Sequence, residues 1–301
     1  MRGVVRKRPE NLFLIGITLV ILLLVVVDIF LSYKAKKPNF GLTPSPITSA
    51  TPIVYPKSYT SPSPSPTIRP LSFKQMDNLY GPCVYLPTIM YHHIENADVA
   101  KVGGFTGLNV TIASFVTHLH YLKDNGYTTV SPSDLANFFD SGTLIPAKSV
   151  ILTFDDAYGD FYVNAYPLLK DLGLKATVFT PTGLVQNNGY LTWNQISEMA
   201  GSGLIYFANH TWSHKSVGVS QEVVSKEIST ADTQLAEKGL NPSKIFAYPY
   251  GNPSDFGITF LSQLGYKAAF TTWPGSTLCK SQRFTLPRVR VGNAALSVYG
   301  F

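Results

Sequence analysis

The hydrophobic and polar positions divide the chain into three stretches. From Leu12 to Leu31 the only charge is Asp28, and at 1.5 Å per residue such a run covers about 30 Å as a helix, the thickness of a bilayer core. From 34 to 70 the apolar positions thin out, and Pro, Ser and Thr dominate in "TPSPITSATPIVYP" and "TSPSPSPTIRP". Such a composition buries no core and favours an extended, semi-rigid stalk. Beyond 71 the pattern alternates. Short β-rich runs at 86–91, 127–130, 149–154, 175–180, 205–209, 244–249, 266–272 and 284–291 are separated by amphipathic helical patterns, including 112–125, 133–140, 160–172, 192–201 and 220–238. Strands alternating with helices imply parallel pairing. Seven or eight such units without a Gly-rich nucleotide loop predict an α/β fold with a closed or nearly closed β/α barrel.

Charge sharpens the division. The net charge is +6, yet residues 1–70 hold nine Lys/Arg against Glu10 and Asp28, leaving 15 Lys/Arg against 16 Asp/Glu in the rest. The basic balance belongs to the tail and gives no support to nucleic-acid binding. Arg2, Arg6, Lys7 and Arg8 precede the apolar run and favour a cytoplasmic N-terminus, although Lys34, Lys36 and Lys37 weaken the contrast. The expected organisation is a basic cytoplasmic N-terminus (1–11), a single-pass signal-anchor (12–33), a Pro/Ser/Thr-rich linker (34–70) and an extracytoplasmic domain (71–301). A cleaved signal peptide is the alternative, but the run exceeds a usual h-region and no A-x-A site follows it. The two cysteines, Cys83 and Cys279, sit near opposite ends of the domain. Either a disulfide or two buried thiols is compatible with that spacing.

Candidate chemistry gathers at strand ends, where a barrel keeps its active site. "VILTFDDAYGD" runs an apolar strand into Asp155 and Asp156; alone, such a pair is often a helix cap or turn. "NHTWSHKS" places His210 and His214 four apart, a spacing that lets both face one way on a helical turn and bind a divalent cation, with an Asp from a neighbouring strand completing three ligands. "MYHHIEN" puts His92 and His93 after the first strand, and an imidazole there is suited to donating a proton to a leaving group. In "AYPYG", Pro249–Gly251 is able to turn a backbone N–H toward a developing oxyanion. Arg288 in "LPRVRV" is a charge in an apolar strand, placed to pair with a carboxylate. Each also has a structural explanation, as a capped turn, a satisfied core histidine or a surface ion pair; their coincidence at equivalent strand ends favours the chemical one.

Taken together, "TFDDAYGDFYVNAYPLLKDLGLKATVF" and "LTWNQISEMAGSGLIYFANHTWSH" resemble the first motif and the histidine-motif region of the polysaccharide deacetylases, carbohydrate esterase family 4 with its NodB-homology domain, over about Pro87 to Val291. The resemblance implies a distorted (β/α)7-type barrel in which Asp156, His210 and His214 hold a divalent metal, most often zinc. Asp155 is then the general base that activates water, and the Tyr250 N–H helps to hold the oxyanion. Three positions depart from the family pattern: Ala157 stands where Gly is usual, Ala247 where an Arg commonly orients the catalytic acid, and no Leu-x-His follows near the C-terminus. The chain is in this respect similar to the subgroup with a Tyr-His motif on the first strand and an Arg on the last, which includes poly-N-acetylglucosamine deacetylases. On that likeness His92, in preference to His93, is the general acid, and Arg288 partners Asp155. Trp193 and Trp273 are candidates for the walls of the sugar site or for ordinary core.

The reading is a membrane-anchored, metal-dependent hydrolase that removes N-acetyl groups from an N-acetylglucosamine-containing cell-wall or extracellular polysaccharide. An O-acetyl esterase, a small-substrate amidase and a non-catalytic glycan-binding protein on the same barrel are the alternatives. The sequence leaves the oligomeric state open.

Overall fold

A computed structural model describes residues 70–301. The expected N-terminus, signal-anchor and all of the linker but Pro70 lie outside the described residues; among these, no helix is long and apolar enough to cross a membrane. The chain runs α1 (Phe73–Tyr80), β1 (Cys83–Tyr85), β2 (Thr88–Tyr91), β3 (His93–Ile94), α2 (Ala97–Gly103), β4 (Asn109–Val110), α3 (Ile112–Asp124), β5 (Thr128–Thr129), α4 (Pro132–Ser141) and β6 (Ser149–Phe154). A π-helical turn (Phe161–Ala165) then opens α5 (Tyr166–Leu172), followed by β7 (Ala176–Thr180), α6 (Trp193–Gly201), β8 (Ile205–Asn209), α7 (Gln221–Glu237), β9 (Ile245–Ala247), α8 (Asp255–Gln263), β10 (Ala268–Pro274), β11 (Thr277–Cys279) and β12 (Leu286–Arg290).

Seven strands close a parallel barrel in the order β2-β12-β10-β9-β8-β7-β6, with β6 returning to β2. The run at 127–130 becomes an outlier: β5 pairs only with the start of β6, at Ser149 and Val150, while β7 takes the end of β6 at Thr153 and Phe154. β5 therefore extends the sheet outside the ring, and seven strands close it.

All six residues of β6 are buried, as a strand covered on both faces requires. Alternation sorts them. Val150, Leu152 and Phe154 join a cluster with Phe115 and Leu119 of α3 and Leu169 of α5. Ile151 instead packs with Phe179, Ala208, Ala247, Phe270 and Leu286 from the other strands. Residues 151, 153 and 155 share one side of a strand, so Thr153 and Asp155 continue the face that looks into the barrel. The helix ends follow local rules: α4, for example, starts with Ser131 and Asp134 in a capping box, carries Pro132 in its first turn, and stops at Gly142 with φ 72°.

Outside the barrel, β1 pairs antiparallel with β11 and sets Cys83 opposite Cys279. The two are joined by a disulfide. It ties the segment preceding the first barrel strand to the one preceding the last.

Candidate active site

Register brings the first two groups together. β2 and β6 run side by side with Tyr91 opposite Phe154, and the Asp155 N–H donates to the Tyr91 carbonyl at 3.0 Å. The next residue on each strand is then His92 and Asp155, and His92 Nε2 lies 4.0 Å from Asp155 Oδ2. Arg288 reaches in from β12. Its Nη1 and Nη2 donate to Asp155 Oδ1 and Oδ2, both at 2.7 Å, while Nη1 also meets Thr153 Oγ1 at 3.1 Å and Nε donates to the Thr271 carbonyl at 2.8 Å. Arg288 is fully buried and its guanidinium lies 5.5 Å from the Phe179 ring centroid. Such a two-pronged pair is the strong form of a charged hydrogen bond. Burial opposes ionisation of Asp155, but the Arg288 charge and hydrogen bonds outweigh it and hold the carboxyl below its usual range.

Asp156 occupies different backbone. An extended strand would turn it away from the barrel interior, yet Asp156 has φ 74° and Ala157 φ 56°. Two left-handed residues in succession break the strand and swing the second carboxylate back to the mouth. Its Oδ1 lies 3.3 Å from His210 Nε2 and 3.0 Å from His214 Nε2. Burial raises the Asp156 pKa, but the two imidazoles more than offset it, and the carboxyl sits far below the ordinary range.

The helical turn expected for His210 and His214 is not formed: residues 210–214 are an irregular loop in which Thr211 (φ 67°) and His214 (φ 59°) are left-handed. The His210 Nδ1–H donates to the Ala247 carbonyl at 2.8 Å, which leaves Nε2 with its lone pair facing Asp156. Candidate ligand atoms of Asp156, His210 and His214 all lie within 4.8 Å of one another. Asp156 Oδ1 is buried and makes no hydrogen bond in the protein. A carboxylate and two imidazole nitrogens converging on an unsatisfied oxygen fit a divalent cation with open positions.

The two histidines of "MYHHIEN" separate. His92 lines the mouth; burial lowers its pKa, with the Asp155 and Asp156 charges pulling the other way. His93 is sandwiched between Phe105 and Tyr158, with ring centroids at 4.0 and 3.7 Å, and its Nδ1 lies 2.6 Å from Asp160 Oδ2. Tyr250 has φ 63° in the 3-10 turn Pro249–Gly251, and its exposed ring meets that of His214 edge-on at 4.8 Å. At Ala247, where the resemblance leads an Arg to be expected, the carbonyl instead orients His210, and the guanidinium beside Asp155 comes from Arg288. Trp273, the penultimate residue of β10, is half-exposed, whereas Trp193 packs on the core beneath Lys238 Nζ, 4.8 Å from its ring. Sequence reasoning missed Thr153 and Thr271, which seat Arg288, and Glu227, which binds the backbone of the 210–214 loop. For Glu227 a signal existed, since it shares the apolar face of α7 with Val224, Ile228, Ala231 and Leu235.

An arginine-clamped carboxylate next to an Asp–His–His cluster able to hold a metal ion, at the C-terminal mouth of a parallel barrel, is an arrangement suited to a hydrolase. The sequence profile of the polysaccharide deacetylase family matches residues 145–269. YxkH of Bacillus subtilis, which carries a polysaccharide-deacetylase name, is 31% identical over 207 residues, covering 68% of this chain and 71% of that one. The poly-β-1,6-N-acetyl-D-glucosamine N-deacetylase of Escherichia coli is 26% identical over 250 residues, but the match spans only 36% of that enzyme and 68% of this chain. Among solved structures, the Streptococcus pyogenes deacetylase PplD, in complex with acetate, aligns with a TM-score of 0.65 at 31% identity over 72% of this chain and 98% of its own. IcaB from Ammonifex degensii aligns with a TM-score of 0.61 at 25% identity, over 68% and 91% respectively. The chain belongs to the polysaccharide deacetylase family, and the deacetylase names of its relatives support a hydrolase acting on carbon–nitrogen bonds other than peptide bonds.

Proposed function

We propose that the protein is a zinc-dependent N-deacetylase of an N-acetylglucosamine-containing wall or extracellular polysaccharide, held at the cell membrane by residues 12–33 with its barrel outside. The observation that carries the reading is the adjacency of an Arg288-clamped Asp155 to the Asp156–His210–His214 cluster. The names of the Escherichia coli and Staphylococcus epidermidis relatives, both poly-β-1,6-N-acetyl-D-glucosamine N-deacetylases, favour this substrate class.

Asp156, His210 and His214 would hold the ion. When bound it would supply Lewis acidity to the acetamide and make a water more acidic. Asp155 takes a proton from the water that attacks the acetamide carbon, and Arg288 keeps that carboxylate charged and aimed. The Tyr250 N–H is offered to the oxygen that becomes negative. The C–N bond then breaks, His92 gives its proton to the leaving amine, and the products are acetate and a glucosamine residue. Burial of Asp155 and the partly covered position of His92 limit competition from bulk water for either proton.

The test uses the full chain in detergent, stripped with chelator and reloaded with Zn²⁺, assayed for acetate release from N-acetylglucosamine oligomers and from peptidoglycan. Asp155→Asn is expected to lower turnover by about 10²–10⁴-fold, the usual worth of a positioned base, while Zn²⁺ affinity stays near wild type. Tight glycan binding without acetate release from any material would overturn the enzymatic reading.

A further inference from the structure

His210 and His214 are held in place by different means. The His210 ring is fixed directly, through Nδ1 to the Ala247 carbonyl. Among the described residues the His214 ring has no comparable hydrogen bond; its polar contact is with Asp156. Apart from the edge-on Tyr250 ring and the neighbouring His210 ring, its place is therefore set by the backbone of the loop that carries it, and that backbone is unfavourable in two places, at the left-handed Thr211 and His214. Residues with a Cβ resist that region, so something must hold them there.

Glu227 does so from beneath. This carboxylate, on the buried face of α7, is 4% exposed. Its Oε2 accepts from the Trp212 and Ser213 N–H groups at 3.1 and 2.7 Å, and its Oε1 from the Ser213 hydroxyl at 2.6 Å. The two N–H groups lie between the two left-handed residues. The neighbouring turn of the same helix takes the start of the loop: Asn209 Nδ2 donates to the Ile228 carbonyl at 3.2 Å while its Oδ1 accepts from the Thr211 N–H at 2.7 Å. Burying a carboxylate is costly unless it is fully hydrogen-bonded. Among the described residues the one cation near it is Lys215, whose Nζ is 3.7 Å from Oε1 and which is itself largely exposed. A neutral side chain would close the core at less cost, so the charge answers to the loop.

We infer that Glu227 is a positioning residue of the metal site, which sets the affinity for the divalent ion by fixing the backbone that aims His214. The inference rests on the reading of Asp156, His210 and His214 as the ligands. Partners one shell out from a metal typically change its affinity by about 10–100-fold when removed. Glu227→Gln retains the shape and one acceptor, and is expected to weaken Zn²⁺ binding about tenfold. Glu227→Ala removes both acceptors and belongs near the upper end of that range.

The measurement is Zn²⁺ affinity of the full chain in detergent by competition with a chromophoric chelator, with near-UV circular dichroism of the metal-free protein recorded alongside. Because Glu227 acts through His214, Glu227→Gln introduced into His214→Ala should change the remaining affinity less than twofold, an effect that general loosening of the fold would not show. Wild-type affinity in a folded Glu227→Ala protein would overturn the inference, as would an undiminished Glu227→Gln effect in the His214→Ala background. If Glu227→Ala does not fold, Glu227→Gln decides. Wild-type protein that binds no Zn²⁺ would instead bring down the site reading itself, and the inference with it.

Discussion

The two halves of the site are built on opposite principles. The half on β2, β6 and β12 is ordinary strand: Asp155 follows the register, Arg288 reaches it across the barrel, and every oxygen of the carboxylate has a donor. The half on the loops after β6 and β8 depends on left-handed residues, Asp156, Ala157, Thr211 and His214, and leaves Asp156 Oδ1 without a hydrogen bond. One half is complete as protein. The other leaves a buried oxygen unsatisfied beside two imidazoles, and its backbone strain is of the kind that persists only where surrounding structure imposes it.

The sharpest way to break the complete half is to remove its cation. Arg288→Met leaves the buried Asp155 uncompensated, and should cost about 3–5 kcal/mol in denaturant unfolding along with turnover. Adding Asp155→Leu to Arg288→Met should recover most of that stability with no return of activity, because replacing a buried pair by apolar groups is often close to neutral. A double variant no more stable than the single would show that the barrel needs the pair for packing alone.

The adjacent histidines carry the same contrast into β2 and β3. His92→Ala should lower turnover about 10²–10⁴-fold with Zn²⁺ affinity kept. His93→Ala loses two stacked faces and the Asp160 contact, so about 1–3 kcal/mol of stability should go, with a smaller effect on turnover than His92→Ala. Reversal of the two would exchange their roles.

A milder probe lies behind β2. Tyr91 Oη meets His118 Nδ1 at 3.1 Å, and His118 Nε2 meets the Ala294 carbonyl at 2.8 Å, an arrangement that suits a neutral ring donating through Nε2–H. Burial lowers the His118 pKa below its ordinary value, against the pull of that carbonyl. The folded protein thus binds fewer protons than the unfolded chain below about pH 6.5. Its contribution to stability is full above that pH and shrinks as pH falls. His118→Gln should make the fall in Tm between about pH 7 and pH 5 shallower; an unchanged slope would assign the acid sensitivity elsewhere.

How much of this was legible in the sequence follows from how local each cause is. The barrel strands were readable because each is a short β-rich run, and Asp155, Asp156, His92 and Arg288 were readable because they stand at or near the mouth ends of such runs. The β1–β11 and β3–β4 pairs were not, since two- or three-residue strands carry too little pattern. α8 carries too weak a pattern to be read from the sequence, although Ser254 caps it, because Gly257 and Thr259 dilute its helical signal. The loop of His210 and His214 is not the helical turn its spacing suggests, because spacing alone cannot show that an acid 13 residues beyond His214 captures two of its N–H groups. Ala157 was visible as a departure, but its meaning was not.

The smallest effect explains that departure. With φ 56°, Ala157 sits where Gly is at ease and a Cβ costs roughly 1–2 kcal/mol. Ala157→Gly would relieve this, while losing a buried methyl worth about 0.8 kcal/mol and freeing the unfolded chain by about 0.4–1 kcal/mol. These nearly cancel, so stability should change by less than about 1 kcal/mol, whereas Ala→Gly at a buried right-handed position would be clearly destabilising. Ala157→Val is the informative counterpart. A β-branched side chain resists the left-handed region more strongly, and relaxing φ at 157 must rotate the neighbouring Asp156 as well. Weaker Zn²⁺ binding in Ala157→Val, beside near wild-type binding in Ala157→Gly, would show that the strained turn serves the Asp156 half of the site, and equal affinity in both would detach the turn from it.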